Sequence, residues 1–269
     1  MNLICEDIKF QVIIKYYLMD LDALKIYKSN KCHYRRIKYY RYKNAVSIDD
    51  LNNYKNCPVT KVYFNSKFTQ HIDKYNLPNS ITHLKFGWRF NSPVDCNLPD
   101  SITHLTFGER FNQSVDHLLN LVTHLTFGER FDQAIDHLPN SVTHLTLGDY
   151  FNYPVDNLPN SITHLILGHF FNRSVDNLPN SITHLTFGNR FNQGVDKLPN
   201  SITHLVFYEL FDQPIDNLPN SISHLTFVES FHHSHVSPHS ITHLAFGTSF
   251  SQAQIIRSQM IDYQSQSKI

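Results

Sequence analysis

The chain has 269 residues, with 23 Lys and Arg balanced by 23 Asp and Glu, so its formal net charge is zero and no global field draws it toward nucleic acid or a membrane. At 41% apolar residues, including 20 Phe and 14 Tyr, the composition is that of a folded soluble protein. No apolar run approaches the length needed to span a bilayer.

The charge is unevenly distributed. Residues 1–56 hold 11 Lys and Arg against 6 Asp and Glu. The four cysteines (Cys5, Cys32, Cys57 and Cys96) form no CxxC pair, so they are expected as free thiols in a reducing compartment, without a disulfide framework or a zinc site. Glu6 and Asp7 interrupt the N-terminus after a short apolar run, unlike a signal peptide. The expectation is a cytoplasmic protein.

In chain order, residues 1–43 read as a small helical unit. Ile4, Ile8, Val12, Ile13 and Tyr17, then Leu18, Leu21, Leu24 and Tyr27, fall close to helix spacing, and Asp20 is placed to cap a second helix. Lys31–Lys43 comes next, with six basic residues and interleaved Tyr34, Tyr39, Tyr40 and Tyr42. A run of this kind can touch RNA or acidic lipid, but reads more simply as the solvated face of a helix whose tyrosines pack inward. The segment Ile4-Cys5-Glu6-Asp7-Ile8, with the apolar sequel Val12, Ile13, Leu18, Leu21 and Leu24, resembles an F-box. It departs from that motif in having Cys5 where the motif has proline, and in lacking a closing tryptophan. The resemblance implies that Ile8, Val12, Ile13, Leu18, Leu21 and Leu24 dock on a cullin-adaptor protein. The alternative is a helical head that only caps the rest of the chain.

Residues 44–56 are a polar connector, and about ten repeats of some twenty residues fill 57–250. The repeat is cleanest over 178–196, Leu-Pro-Asn-Ser-Ile-Thr-His-Leu-Thr-Phe-Gly-Asn-Arg-Phe-Asn-Gln-Gly-Val-Asp. Its beat is a histidine: His83, His104, His124, His144, His164, His184, His204, His224 and His243, spaced by 20 residues except for 21 at the first interval and 19 at the last. One unit this short cannot bury its own apolar face, so the period predicts a stacked solenoid. A polar tail or cap, 251–269, ends the chain.

Within each unit Leu-Pro-Asn-Ser supplies a turn, with Asn and Ser expected to bond their local backbone. Thr-His-Leu-Thr-Phe, as in Thr103–Phe107, is the strand. Alternation points Leu105 and Phe107 inward and His104 and Thr106 outward. Ile102, the second phenylalanine Phe111, and Val115 complete the core of their unit. Seven of the eight glycines come directly after the strand, which predicts a positive φ or a close backbone approach. The Asn or Asp after the second phenylalanine (Asn91, Asn112, Asp132, Asn152) is expected to form a ladder on buried loop amides. The Asp of Val-Asp should brace the next turn.

This unit resembles the FNIP repeat, a short relative of the leucine-rich repeat. Phe90-Asn91-Ser92-Pro93, Phe151-Asn152-Tyr153-Pro154 and the recurring Leu-Pro-Asn-Ser-Ile-Thr-His-Leu carry the resemblance over about 77–250. The family occurs in social amoebae and in giant viruses that infect them, often with an F-box ahead of the repeats. It implies an LRR-like arc, mainly β, with a parallel sheet on the concave side and an extended or turn-rich convex side.

The nine histidines invite a metal or proton-responsive reading, but a straight ladder lacks the tetrahedral geometry of zinc, so neutral stacked imidazoles are expected. Better candidates for partner contact are the two variable positions after each glycine: Trp88, Arg89; Glu109, Arg110; Glu129, Arg130; Asp149, Tyr150; His169, Phe170; Asn189, Arg190; and Glu209, Leu210. Acids beside Arg and aromatics suit a protein ligand, while a solvated salt-bridge edge is the plainer reading. Serine and histidine recur as scaffold copies, with no singular nucleophile, base and orienting acid and no phosphate-cradling glycine loop. The expectation is therefore a monomeric, cofactor-free interaction protein and not an enzyme. It is read as a substrate-recruiting adaptor of an SCF-type ubiquitin ligase or, failing that, as a plain repeat scaffold.

Overall fold

A computed structural model describes residues 46–47, 59–72, 77–94, 98–118, 121–228 and 240–246. The helical unit of 1–43, the tail 251–269 and the four cysteines lie outside the described residues.

The described residues form a parallel β-solenoid. Its strands are β1 (Val46–Ser47), β2 (Lys61–Tyr63), β3 (His83–Lys85), β4 (His104–Thr106), β5 (His124–Thr126), β6 (His144–Thr146), β7 (His164–Ile166), β8 (His184–Thr186), β9 (His204–Phe207), β10 (His224–Phe227) and β11 (His243–Phe246). They make a single sheet in sequence order, each strand parallel to the next. Register is fixed residue for residue, with His104 opposite His124, Leu105 opposite Leu125 and Thr106 opposite Thr126. β1 falls inside the stretch read as a polar connector and places Val46 opposite Val62, so the sheet begins before the repeat pattern does.

Each full repeat buries six apolar side chains. In one unit these are Ile102, Leu105, Phe107, Phe111, Val115 and Leu118, all 8% exposed or less. The leucine of Leu-Pro-Asn-Ser thus belongs to the core as well as opening a turn. Phenylalanines stack along the axis in two files. Neighbours of the strand file, such as Phe86, Phe107 and Phe127, lie 5.5 Å apart. Those of the second file, Phe90 to Phe211, lie 6.0–6.2 Å apart, and within a repeat the two rings meet at 3.7–4.0 Å.

A twenty-residue unit must return to its start without room for a helix, and it does so through tight turns. Ile102 N donates to Pro99 O, Phe111 N to Gly108 O and Leu118 N to Val115 O, at 3.1–3.2 Å. The serines, expected to bond locally, reach across to the preceding repeat instead. Ser101 Oγ donates to Ile81 O at 2.6 Å, and the same bond recurs from Ser141 to Val122 and from Ser161 to Val142 at 2.7 Å. A turn stacked on an identical turn leaves each carbonyl facing the next unit, so between-repeat bonds satisfy the buried backbone.

The glycines show which of their two expected roles applies. No described residue has a positive φ. A Cβ on Gly108 would collide with the Gly87 carbonyl oxygen, and one on Gly148 with that of Gly128. Close approach between turns is therefore the reason for glycine. The strand runs one residue longer in β9, β10 and β11, before Tyr208, Val228 and Gly247 alike, and Val228 N donates to Phe207 O at 2.9 Å as an added rung.

Candidate interaction surfaces

The outward face of the sheet carries the imidazole ladder. Successive rings from His83 to His243 stack at 4.0–4.2 Å between centroids and within 14° of parallel. Each ring is anchored by the residue before it: Thr103 Oγ1 lies 2.9 Å from His104 Nδ1, and Thr82, Thr123, Thr143, Thr163, Thr183, Thr203, Ser223 and Thr242 repeat the contact. The Thr82 carbonyl already accepts Thr103 N and His104 N at 2.9 and 3.0 Å, and Thr103 Oγ1 is farther from it, at 3.3 Å. That contact and the one to Nδ1 draw on a single hydroxyl proton, so the ring tautomer sets the direction of the Thr103–His104 bond. Parallel rings hold their in-plane lone pairs in parallel planes, a geometry in which neighbours do not converge on one metal ion.

Burial is the first cause, and the neighbouring imidazoles the second, of a lowered pKa at His124, His164, His184, His204 and His224; His164 falls from 6.5 to about 4. His83 and His104 are lowered in the same way, by burial first, with Lys61 at the head of the column adding to the effect. A folded-state value below the unfolded one means that the unfolded chain takes up protons first as pH falls. Stability is then complete above the unfolded value near 6.5 and is lost as pH drops toward the folded values. The melting temperature should fall by roughly 5–10 °C between pH 7.5 and pH 5. A flat profile over that range would count against the stacked ladder.

The second surface is the edge formed by the two residues after each glycine. The backbone stacks here as well: Arg130 N donates to Glu109 O and Tyr150 N to Glu129 O at 2.9 Å, Phe170 N to Asp149 O at 2.8 Å and Arg190 N to His169 O at 3.0 Å. These rungs point the paired side chains outward in file. Trp88, Tyr150 and Leu210 are 40%, 48% and 51% exposed; Arg89, Glu109, Arg110, Glu129, Arg130, Asp149 and Arg190 are also exposed, and His169, Phe170 and Asn189 are half-buried.

The expected salt-bridge edge is not what these residues build. Among the described residues, Glu109, Glu129 and Asp149 make no ion pair, and the exposed pair Lys197–Asp176, at 3.0 Å, lies on another turn. Arginine is held on rings instead. Arg110 and Arg89 lie 4.5 and 5.6 Å from the Trp88 ring, and Arg190 lies 4.8 Å from that of Phe170. Tyr150 stacks on Phe170 at 5.0 Å and His169 meets it edge-on at 4.6 Å. Weakly hydrated guanidinium prefers an aromatic face, while the carboxylates keep their water.

Beside this edge runs the asparagine ladder. Asn152 Oδ1 accepts Asn172 N, and Asn172 Oδ1 accepts Asn192 N, both at 3.0 Å; Asn192 Oδ1 accepts Asp212 N at 2.9 Å. The ladder exists as expected, but it lies at the surface and not within the core. The Asp of Val-Asp braces the next repeat, as in Asn157 Nδ2 to Asp136 Oδ1 at 3.1 Å. Asn152, Asn172 and Asn192 join Phe170, Arg190 and Leu210 around an open concavity of about 640 Å³. From sequence these asparagines read as structure alone. The signal that could have marked them is that the acids Asp132 and Asp212 take the same column at either end of the group. The F-box-like positions Ile8, Val12, Ile13, Leu18, Leu21 and Leu24 lie outside the described residues.

Three comparisons bear on this architecture. The pattern of the family described as FNIP Repeat matches residues 58–88, 68–97, 90–119, 131–170, 171–197 and 194–230, more than half of the chain. A solved structure described as that of CroV588, "a novel circular LRR protein structure", is 43% identical with a TM-score of 0.65. The match covers 74% of this chain and 32% of the other, so this chain spans about a third of its length. No curated protein matches.

Proposed function

Because the chain belongs to the FNIP repeat family, we propose that its LRR-like solenoid is a protein-binding scaffold holding its target along the edge after each glycine. One observation carries this reading: aromatic side chains and ring-bound arginines stand exposed in file, on backbone that the rungs hold rigid. Trp, Tyr and Arg on a fixed frame lose little side-chain freedom on binding, which is what concentrates binding energy at protein interfaces. The test places a photo-cross-linking residue at Tyr150 or, as control, at exposed Ser174 in the full chain, with lysate of the source cell. A partner that cross-links from position 150 and is lost in Trp88→Ala/Arg110→Ala supports the edge. Equal cross-linking from position 174 refutes it.

In its finer form the proposal makes the protein a substrate-recruiting adaptor of an SCF-type ubiquitin ligase in the cytoplasm. The support is sequence: Ile8, Val12, Ile13, Leu18, Leu21 and Leu24 in the pattern of an F-box ahead of the repeats. Full-length chain is expected to retain purified cullin adaptor, and Leu18→Asp/Leu21→Asp to lose at least about 90% of it, since a charge in an apolar docking face is not repaid. No retention by the unaltered chain leaves the plain scaffold.

A further inference from the structure

We infer that the concavity ringed by Phe170, Arg190 and Leu210 seats a single carboxylate of the partner, an Asp or Glu side chain flanked by an apolar residue. This rests on the edge reading above and names what one part of that edge recognises.

The groups lining the site are donors and apolar walls. In each asparagine the amide orientation is fixed, because Oδ1 accepts a backbone N–H that can only donate: Asn152 from Asn172, Asn172 from Asn192, Asn192 from Asp212. Gln193 Nε2 and Gln213 Nε2 add further donors to Asn172 Oδ1 and Asn192 Oδ1, at 3.1 and 3.0 Å. The Nδ2 groups of Asn152, Asn172 and Asn192 are thereby left on the other arm of each amide, and they make no hydrogen bond to any described residue. These three residues line the concavity together with Arg190. Arg190 is exposed, held at 4.8 Å on the Phe170 ring, and pairs with no acid among the described residues. Phe170 on one side and Leu210, 51% exposed, on the other supply the apolar walls.

Amide N–H groups and one guanidinium match a carboxylate, which only accepts. The ends of the column set the charge. Asn152 N donates to Asp132 Oδ1, and Asp212 comes after Asn192, so an acid stands beyond each end of the asparagine group. The Asp132 carboxylate disfavours a polyanion or a doubly charged phosphate at its end while leaving room for one negative charge in the middle. The apolar walls then favour a partner residue such as Leu or Phe beside the acid.

The experiment uses the full chain with isotope-labelled asparagine and arginine. Its probes are the blocked peptide acetyl-Leu-Glu-Leu-amide, its counterpart with Gln for Glu, and inorganic phosphate. The Glu peptide should shift the Asn152, Asn172 and Asn192 side-chain amide signals and Arg190, with an affinity on the order of 1 mM. The Gln peptide should bind about five-fold or more weakly, and Arg190→Gln should remove that difference. Leu210→Ser should weaken both peptides alike. Equal binding of the Glu and Gln peptides, no shift at the three asparagines, or tighter binding of phosphate than of the Glu peptide each overturns the proposal. The edge reading is judged separately. A target that still cross-links at position 150 and is indifferent to Arg190→Gln sinks only the carboxylate seat, whereas a target found equally at position 174 sinks the edge itself.

Discussion

Phe151→Ala is expected to cost about 3–5 kcal/mol and to split the melting of the stack into separate transitions. Phe151 is fully buried, with its ring 6.2 Å from both Phe131 and Phe171. Its own repeat has Leu147, and the next has Leu167, where the other units carry a second strand-side ring, so the only ring of its own unit near it is the exposed Tyr153, tilted at 6.3 Å. Collapse around the missing ring is blocked, because Tyr150 N is bound to Glu129 O and Asn152 N to Asp132 Oδ1 on either side of it. A stable core elsewhere does not compensate, since each repeat of a solenoid contacts only its neighbours. The chain has one tryptophan, Trp88, which lies on the N-terminal side of the cut. Indole fluorescence therefore reports that half alone, and far-UV circular dichroism reports both. Non-coincident urea transitions by the two probes are the expected result, and superimposable ones would falsify it.

The same substitution at two glycines should have opposite signs. Gly168→Ala is expected to destabilise by about 3 kcal/mol, because its Cβ meets the Gly148 carbonyl oxygen with the Asp149 Cα also close, at 2.9 Å. Backbone on both sides must move, and backbone here is pinned by rungs. Gly194→Ala meets nothing within 4 Å and its φ is not positive. It should be neutral or stabilising by up to about 1 kcal/mol, through loss of freedom in the unfolded chain. Urea midpoints of the two variants decide the matter. A Gly168→Ala variant as stable as the parent would show that glycine is not required for the stack.

Much of this architecture was legible in the residues. The period of twenty and the alternation around His104, Leu105, Thr106 and Phe107 specify a stacked parallel sheet with the ladder outside, because strand side chains alternate and identical units stack in register. What escaped were features that depend on distance between units, not on order within one. Ser101 looks the same whether it bonds its own turn or Ile81 of the turn before, and Gly108 looks the same whether it serves φ or clearance. Val46–Ser47 is too short to show a period at all. At the edge, Arg110 has Glu109 beside it in sequence, yet it lies over Trp88 from the preceding repeat, since adjacent residues diverge while equivalent ones meet.

The between-repeat bonds have one more consequence. Ser to Ile carbonyl, Thr and His amides to Thr carbonyl and Asn Oδ1 to the next amide are the same bonds at nearly every junction, so a junction does not record which two units it joins. Excising or duplicating a whole unit in the middle of the gene would heal into an interface of the same chemistry, lengthening or shortening the edge by about 4.8 Å per unit. Frame and message are thereby inherited separately. The frame repeats, while the two letters after each glycine vary along the stack.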